Sequence, residues 1–96
     1  MYNSMSMPEF DELHRKKKKI SILDVRESDE FRRGHIPGAQ SVPLSHFPVE
    51  LEKEQSYYIV CQSGSRSAVA AQYLAAQGHD VTNLIGGMST WRGDIE

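Results

Sequence analysis

The stretch Tyr57-Tyr58-Ile59-Val60-Cys61-Gln62-Ser63-Gly64-Ser65-Arg66 decides the fold. Its first four residues are aromatic or β-branched, which predicts a strand. A polar loop with a glycine follows at once. From about Ser65 the spacing of Val69, Ala70, Tyr73 and Leu74 predicts a helix face, with Ala71 and Ala75 allowing close approach. Gly78 stands where a helix is expected to stop. A strand, a tight loop and a helix in that order form part of a parallel βα unit.

Working outward, Ile20 to Val25 reads as a second strand with Asp24 near its end. Ser28 is placed to cap a short helix through Arg33, with Phe31 as its core contact. Gly34-His35-Ile36-Pro37-Gly38-Ala39 is a turn. Ser41-Val42-Pro43 suits a brief strand or edge segment, Leu44 to Val49 a helical turn, and Glu50 to Gln55 a polar loop. Downstream, Val81 to Ile85 predicts a third strand, Gly86-Gly87 a turn, and Met88 to Trp91 a last short helix over the core edge. At the start, Ser6, Pro8 and Glu9 carry a helix-capping pattern, with Met5 and Phe10 at staple positions. The helix is expected from Met7 to Lys16. The run Lys16 to Lys19 suits its C-terminus and a solvated turn better than an anionic docking face.

Strands that alternate with helices argue an α/β fold, a mainly parallel sheet covered on both faces. Ninety-six residues suit one domain with a core from about residue 5 to 92 and a radius of gyration of about 12–13 Å. Eleven Lys and Arg against 13 Asp and Glu leave a net charge of -2, which argues against charge-driven nucleic-acid binding. One cysteine excludes an intrachain disulfide. No apolar run approaches the ~20 residues of a membrane span, and the first residues lack the basic-then-apolar order of a signal peptide. A cytoplasmic, reducing compartment is the expectation.

In an open parallel sheet, ligands bind beyond the carboxyl ends of the strands, where Asp24 and Cys61 both fall. Gln62, Ser63, Gly64 and Ser65 form a loop whose backbone N–H groups can converge at a helix N-terminus. A thiol at its rim should ionise below the free value of about 8.5. Arg66 would add a fixed cation for an anionic substrate. Because a polar run follows it directly, Cys61 is expected to face solvent rather than to lie in the core. Two reactions fit an anion-binding thiolate loop: phosphoester hydrolysis through a cysteinyl-phosphate, and sulfur transfer through a persulfide. Cysteine-dependent phosphatases resemble one another in having five residues between Cys and Arg; here there are four. No residue stands out as the general acid a phosphatase needs.

The histidines fall at 14, 35, 46 and 79, in no zinc-binding spacing. His14 and His79 read as surface residues. A Cys61–His35–Asp24 triad for acyl transfer is a minor alternative. Neither metal nor cofactor is called for.

Taken together, Leu23-Asp24-Val25-Arg26 with Glu30-Phe31, then Gly34 to Ala39, then Cys61 to Ser67, then Gly86-Gly87 with Trp91 resemble the single-domain rhodaneses, the thiosulfate sulfurtransferases. The resemblance runs from about Met5 to Trp91. It implies a three-layer α/β fold in which Cys61 takes the outer sulfur of thiosulfate or of a persulfide donor. Cyanide or a thiol then accepts it, as could a sulfur-relay protein. It also implies that Gln62, Ser63, Gly64, Ser65 and Arg66 form the persulfide-binding loop, with Ser67 beside it. Asp24 and Arg26 would play supporting parts, Asp24 by accepting loop hydrogen bonds and Arg26 by pairing with Glu30 or lining the mouth. Two other readings stand beside this one: a non-catalytic sulfur carrier or protein-binding module, and a small phosphatase or arsenate reductase.

Overall fold

A computed structural model describes residues 1–17 and 19–96; Lys18, inside the lysine run, lies outside the described residues. Five strands form one sheet in the order β1-β5-β4-β2-β3, with every pairing parallel. They are β1 (Asn3–Ser6), β2 (Ser21–Asp24), β3 (Gln40–Ser41), β4 (Ser56–Val60) and β5 (Asp80–Ile85). The helices are α1 (Met7–Lys16), α2 (Ser28–Arg32) and α3 (Ser65–Ala76), with single 3-10 turns at Leu44–His46 and Gly87–Thr90. The Cα radius of gyration is 11.9 Å.

Side-chain alternation along the strands divides the core into two layers. Tyr57 and Ile59 of β4, and Cys61 just beyond it, face α3, where they meet Leu23, Val81, Ala70, Ala71 and Leu74. Tyr58 and Val60 face the other way, toward Met7 and Phe10 of α1 and toward Trp91. The three-layer expectation therefore holds.

Three local expectations need correction. Before α1 stands β1, an edge strand where the sequence pattern shows only the cap and staple of that helix. Its sequence, Asn3-Ser4-Met5-Ser6, has no β-branched residue. It is held by parallel pairing of Asn3 to Ser6 with Thr82 to Ile85. Ser6 ends this strand and also caps α1, accepting from the Glu9 N–H at 3.3 Å. On α2 the cap is Glu27, not Ser28; its side chain and that of Glu30 form a reciprocal capping box. On α3 the buried face is Ser67, Ala70, Ala71 and Leu74. Val69 is 57% exposed because the polar Ser67, rather than Val69, sets the phase.

Two histidines expected at the surface are not there. His14 is half-buried, its Nε2 2.9 Å from the Pro37 carbonyl, with Phe10 and Trp91 against the ring. His79 is buried as a consequence of how α3 ends. Gly78, at φ +94°, lets its own N–H reach Ala75 O and the His79 N–H reach Leu74 O, a Schellman closure. That closure turns His79 inward, edge-on to Tyr57.

Candidate active site

Cys61 sits one residue past β4, on the α3 face, with no exposed surface. Here the structure corrects the expectation of a solvent-facing thiol. The strand alternation carries through the first loop residue, so Cys61 completes the core layer while Gln62 onward leaves it. Buried though it is, Sγ is not in apolar surroundings. The Gly64 N–H donates to it at 3.0 Å, and the Ser67 hydroxyl lies 3.3 Å away. Gly64 is the N-cap of α3 and has no side chain to satisfy the first N–H groups of the helix. Sulfur takes that place. Burial pushes the thiol pKa up, but the Ser67 hydroxyl and the N–H groups of Ser67, Gly64 and Ser63 outweigh it, and the net shift is downward.

The loop conformation depends on two glycines. Gly64 has φ +105°, a left-handed value that favours glycine. Gly87, at φ +58°, lies so close to the loop that a Cβ there would overlap the Cys61 carbonyl and stand 2.8 Å from Gln62 C and O. That close approach lets the Met88 N–H reach Cys61 O at 2.8 Å and the Ser89 N–H reach Gln62 O at 2.9 Å. The Gly86-Gly87 turn thus clamps the back of the loop. Trp91 packs on the opposite face with Phe10.

Arg66, rather than Arg26, takes Glu30 as its partner. Arg66 forms two parallel hydrogen bonds with Glu30, at 2.7 and 2.9 Å. The Arg66 hydrogen bonds outweigh partial burial and hold the Glu30 carboxyl down to about 2. Arg26 does not meet Glu30. Its side chain is only 5% exposed, and it folds back on the fully buried Asp24, with contacts from 2.7 to 3.1 Å, and on the Gly34 carbonyl. Asp24 accepts the backbone N–H of Arg26 at 3.1 Å and none from the Cys61 loop. Its role is to knot the end of β2. The triad alternative fails on geometry: His35 Nδ1 contacts Phe31 O at 2.9 Å, its ring stacks on Phe31, and Asp24 is taken by Arg26.

Gln62, Arg26, Glu30, Arg33, Gly34 and Ile95 line a hollow of about 350 Å³ beside the loop. A larger one of about 710 Å³ lies at the opposite end of the strands, among Lys17, Lys19, Ser21 and Tyr58, and contains no loop residue. Among the described residues no group of His, Cys, Asp and Glu could hold a metal ion, and no helix is long and apolar enough to cross a membrane.

One site residue escaped the sequence reading. Asn83 of β5 is 7% exposed and its Oδ1 meets the Ser67 hydroxyl at 2.5 Å. Its phase with Val81 on a buried strand was the available signal.

Comparison with known proteins agrees with this geometry. A model of the rhodanese-like domain family matches residues 6–94. A rhodanese-like domain protein from Staphylococcus aureus superposes with a TM-score of 0.90 at 37% identity, covering 98% of this chain and 96% of that one. The thiosulfate sulfurtransferase GlpE of Shewanella oneidensis is 40% identical over 78 residues, 77% of each protein. YrkF of Bacillus subtilis is 38% identical across 98% of this chain, which spans 56% of YrkF. With its parallel sheet and its cysteine loop at the head of α3, the chain belongs to the rhodanese-like domain family.

Proposed function

We propose that the protein is a sulfurtransferase that carries sulfane sulfur on Cys61. The observation that carries this reading is the Sγ environment: a Gly64 N–H at 3.0 Å, the Ser67 hydroxyl at 3.3 Å and no base in contact. Thiolate and persulfide are both anions, and one set of fixed donors suits both. The thiolate attacks the outer sulfur of thiosulfate; the S–S bond breaks and sulfite leaves with the electron pair. Cyanide or a thiolate then attacks the terminal sulfur of the persulfide, and the bonding pair returns to Cys61. The products are thiocyanate or a new persulfide. Neither step needs a proton donor, a metal or a cofactor. A moderately lowered pKa fits, since nucleophilicity falls with pKa. GlpE of Shewanella oneidensis, a thiosulfate sulfurtransferase by name, supports thiosulfate as donor. A persulfide supplied by another protein would load the same sulfur, and a reducing cytoplasm would keep Cys61 free to accept it.

Phosphoester hydrolysis fits less well. It wants a free arginine for the phosphate and a protonated acid for the leaving group. Here Glu30 occupies Arg66 and Arg26 holds Asp24, so both neighbouring carboxylates are bound in ion pairs. The test is intact mass after thiosulfate and then cyanide, on wild type and Cys61→Ser. The expected result is one added sulfur on wild type alone, released as thiocyanate. A folded, reduced protein that takes no sulfur from thiosulfate but does from a persulfide donor would make it a carrier. Cys61-dependent hydrolysis of an aryl phosphate with no sulfur uptake would overturn the reading.

A further inference from the structure

The Ser67 hydroxyl has one proton and three acceptors within reach: Asn83 Oδ1 at 2.5 Å, Gly64 O at 3.1 Å and Cys61 Sγ at 3.3 Å. The Ser67, Asn83 and Cys61 side chains are buried. Ser67 cannot donate to Asn83 and to sulfur at once, so its proton must follow the charge on sulfur. The Asn83 amide can answer in either direction, because turning it over exchanges an acceptor for a donor at the same place.

We propose that Asn83 is a positioning residue for Cys61, acting through Ser67 as a reversible hydrogen-bond partner. In the thiol form, S–H donates to Ser67 Oγ and the Ser67 O–H donates to Asn83 Oδ1. On ionisation the thiol proton leaves to solvent, the Ser67 O–H turns to the thiolate, and the Asn83 amide turns over to donate Nδ2–H to Ser67 Oγ. The persulfide anion is held by the loop in its place. Every hydrogen bond in the chain is kept in both states, and no group other than the thiol gains or loses a proton. The charged groups at the loop are Arg66 of α3 with its partner Glu30 of α2, Glu27 at the start of α2, and the Asp24–Arg26 pair at the end of β2. Among the described residues, β5 and the Gly86–Thr90 turn bring no titratable side chain to it. Asn83 is therefore β5's polar contribution to the site.

The inference rests on the persulfide chemistry proposed for Cys61, but its test reads the thiol alone, so failure to use thiosulfate leaves it standing. Cys61 is the only cysteine, and the pH dependence of its alkylation by iodoacetamide reports its ionisation without ambiguity. Asn83→Asp replaces the amide with a group that only accepts, fixing the Ser67 proton away from sulfur. The alkylation midpoint should rise by about 1 pH unit, and less than half of that rise should remain in a Ser67→Ala background. Asn83→Leu removes the donor while keeping the size, and should raise the midpoint by about half a unit. Thermal melting identifies which variants are folded. An unchanged midpoint in folded Asn83→Asp, an Asp effect undiminished without Ser67, or an unchanged or lowered midpoint in Asn83→Leu would each overturn the proposal. The last would show the amide merely competing with sulfur for the Ser67 proton.

Discussion

Gly87→Ala and Gly38→Ala form a matched pair that separates backbone strain from the clamp on the loop. Both residues have left-handed φ, +58° and +89°. An alanine at either pays the left-handed penalty of about 1–2 kcal/mol. At Gly38 nothing lies within 4 Å of the new Cβ, so strain is the whole effect. At Gly87 the Cβ meets backbone atoms of Cys61 and Gln62, which cannot rotate aside. The turn must withdraw, taking with it the Met88–Cys61 and Ser89–Gln62 hydrogen bonds, each worth about 1 kcal/mol. The expected losses are about 1–2 kcal/mol for Gly38→Ala and about 3–4 kcal/mol for Gly87→Ala. In a domain of this size these correspond to about 5–10 °C and about 15–20 °C in Tm. Urea titration measures the first quantity and a thermal melt the second. The alkylation rate of Cys61 at pH 7 should fall in folded Gly87→Ala and stay unchanged in Gly38→Ala. Equal losses of stability in the two variants, or a Gly87→Ala protein with wild-type reactivity, would refute the clamp.

Glu30→Gln should cost about 1 kcal/mol at neutral pH, because the pair it breaks is bidentate but partly exposed. Since the folded pKa of Glu30, about 2, lies below its ordinary 4.5, its contribution is full above about pH 4.5 and is lost as pH falls toward 2. The gap between wild type and variant in urea midpoint should close over that window. Asp24→Asn leaves the guanidinium of Arg26 buried with a neutral partner and should lose about 3 kcal/mol in the same assay. The lowered pKa of Cys61 makes wild type gain stability relative to Cys61→Ser as pH rises through its folded value toward that of a free thiol, which melts taken at successive pH values will detect. Leu74→Ala, fully buried, should cost about 2–5 kcal/mol by chemical denaturation, and Val69→Ala, 57% exposed, less than about 0.5.

The legible parts of the chain are those where one segment decides its own structure. Helix α1 from Met7 to Lys16 follows from Ser6, Pro8 and Glu9, and the loop from Cys61 to Arg66 follows from a strand that stops at a glycine-bearing polar run. Where the deciding partner is distant in sequence, local reading fails. Strand β1 exists because β5 offers it an edge 79 residues downstream of Asn3, a stabilisation invisible in Asn3-Ser4-Met5-Ser6 itself. Arg66 and Glu30 are 36 residues apart, so neither segment by itself shows their pairing. A buried polar residue misleads in another way. Ser67 and Asn83 are polar, yet they define the inner phase of α3 and β5 beside the sulfur.

The same geometry explains how a buried thiol can belong to a reactive loop. A cysteine that only filled the core would be inert, because burial raises its pKa. A cysteine that only faced solvent would gain little from N–H groups already bound to water. Cys61 combines the inward phase of β4 with the uncapped N-terminus of α3, so its donors act where water does not compete. Arg66 is drawn aside by Glu30, which leaves the fixed dipoles of the loop as the nearest stabilisers of charge on sulfur. Dipoles of that kind balance a singly charged sulfur without holding it as tightly as a bare guanidinium would. The sulfur transfer proposed for Cys61 needs that moderate hold, since whatever stabilises a persulfide more than the thiolate slows its discharge.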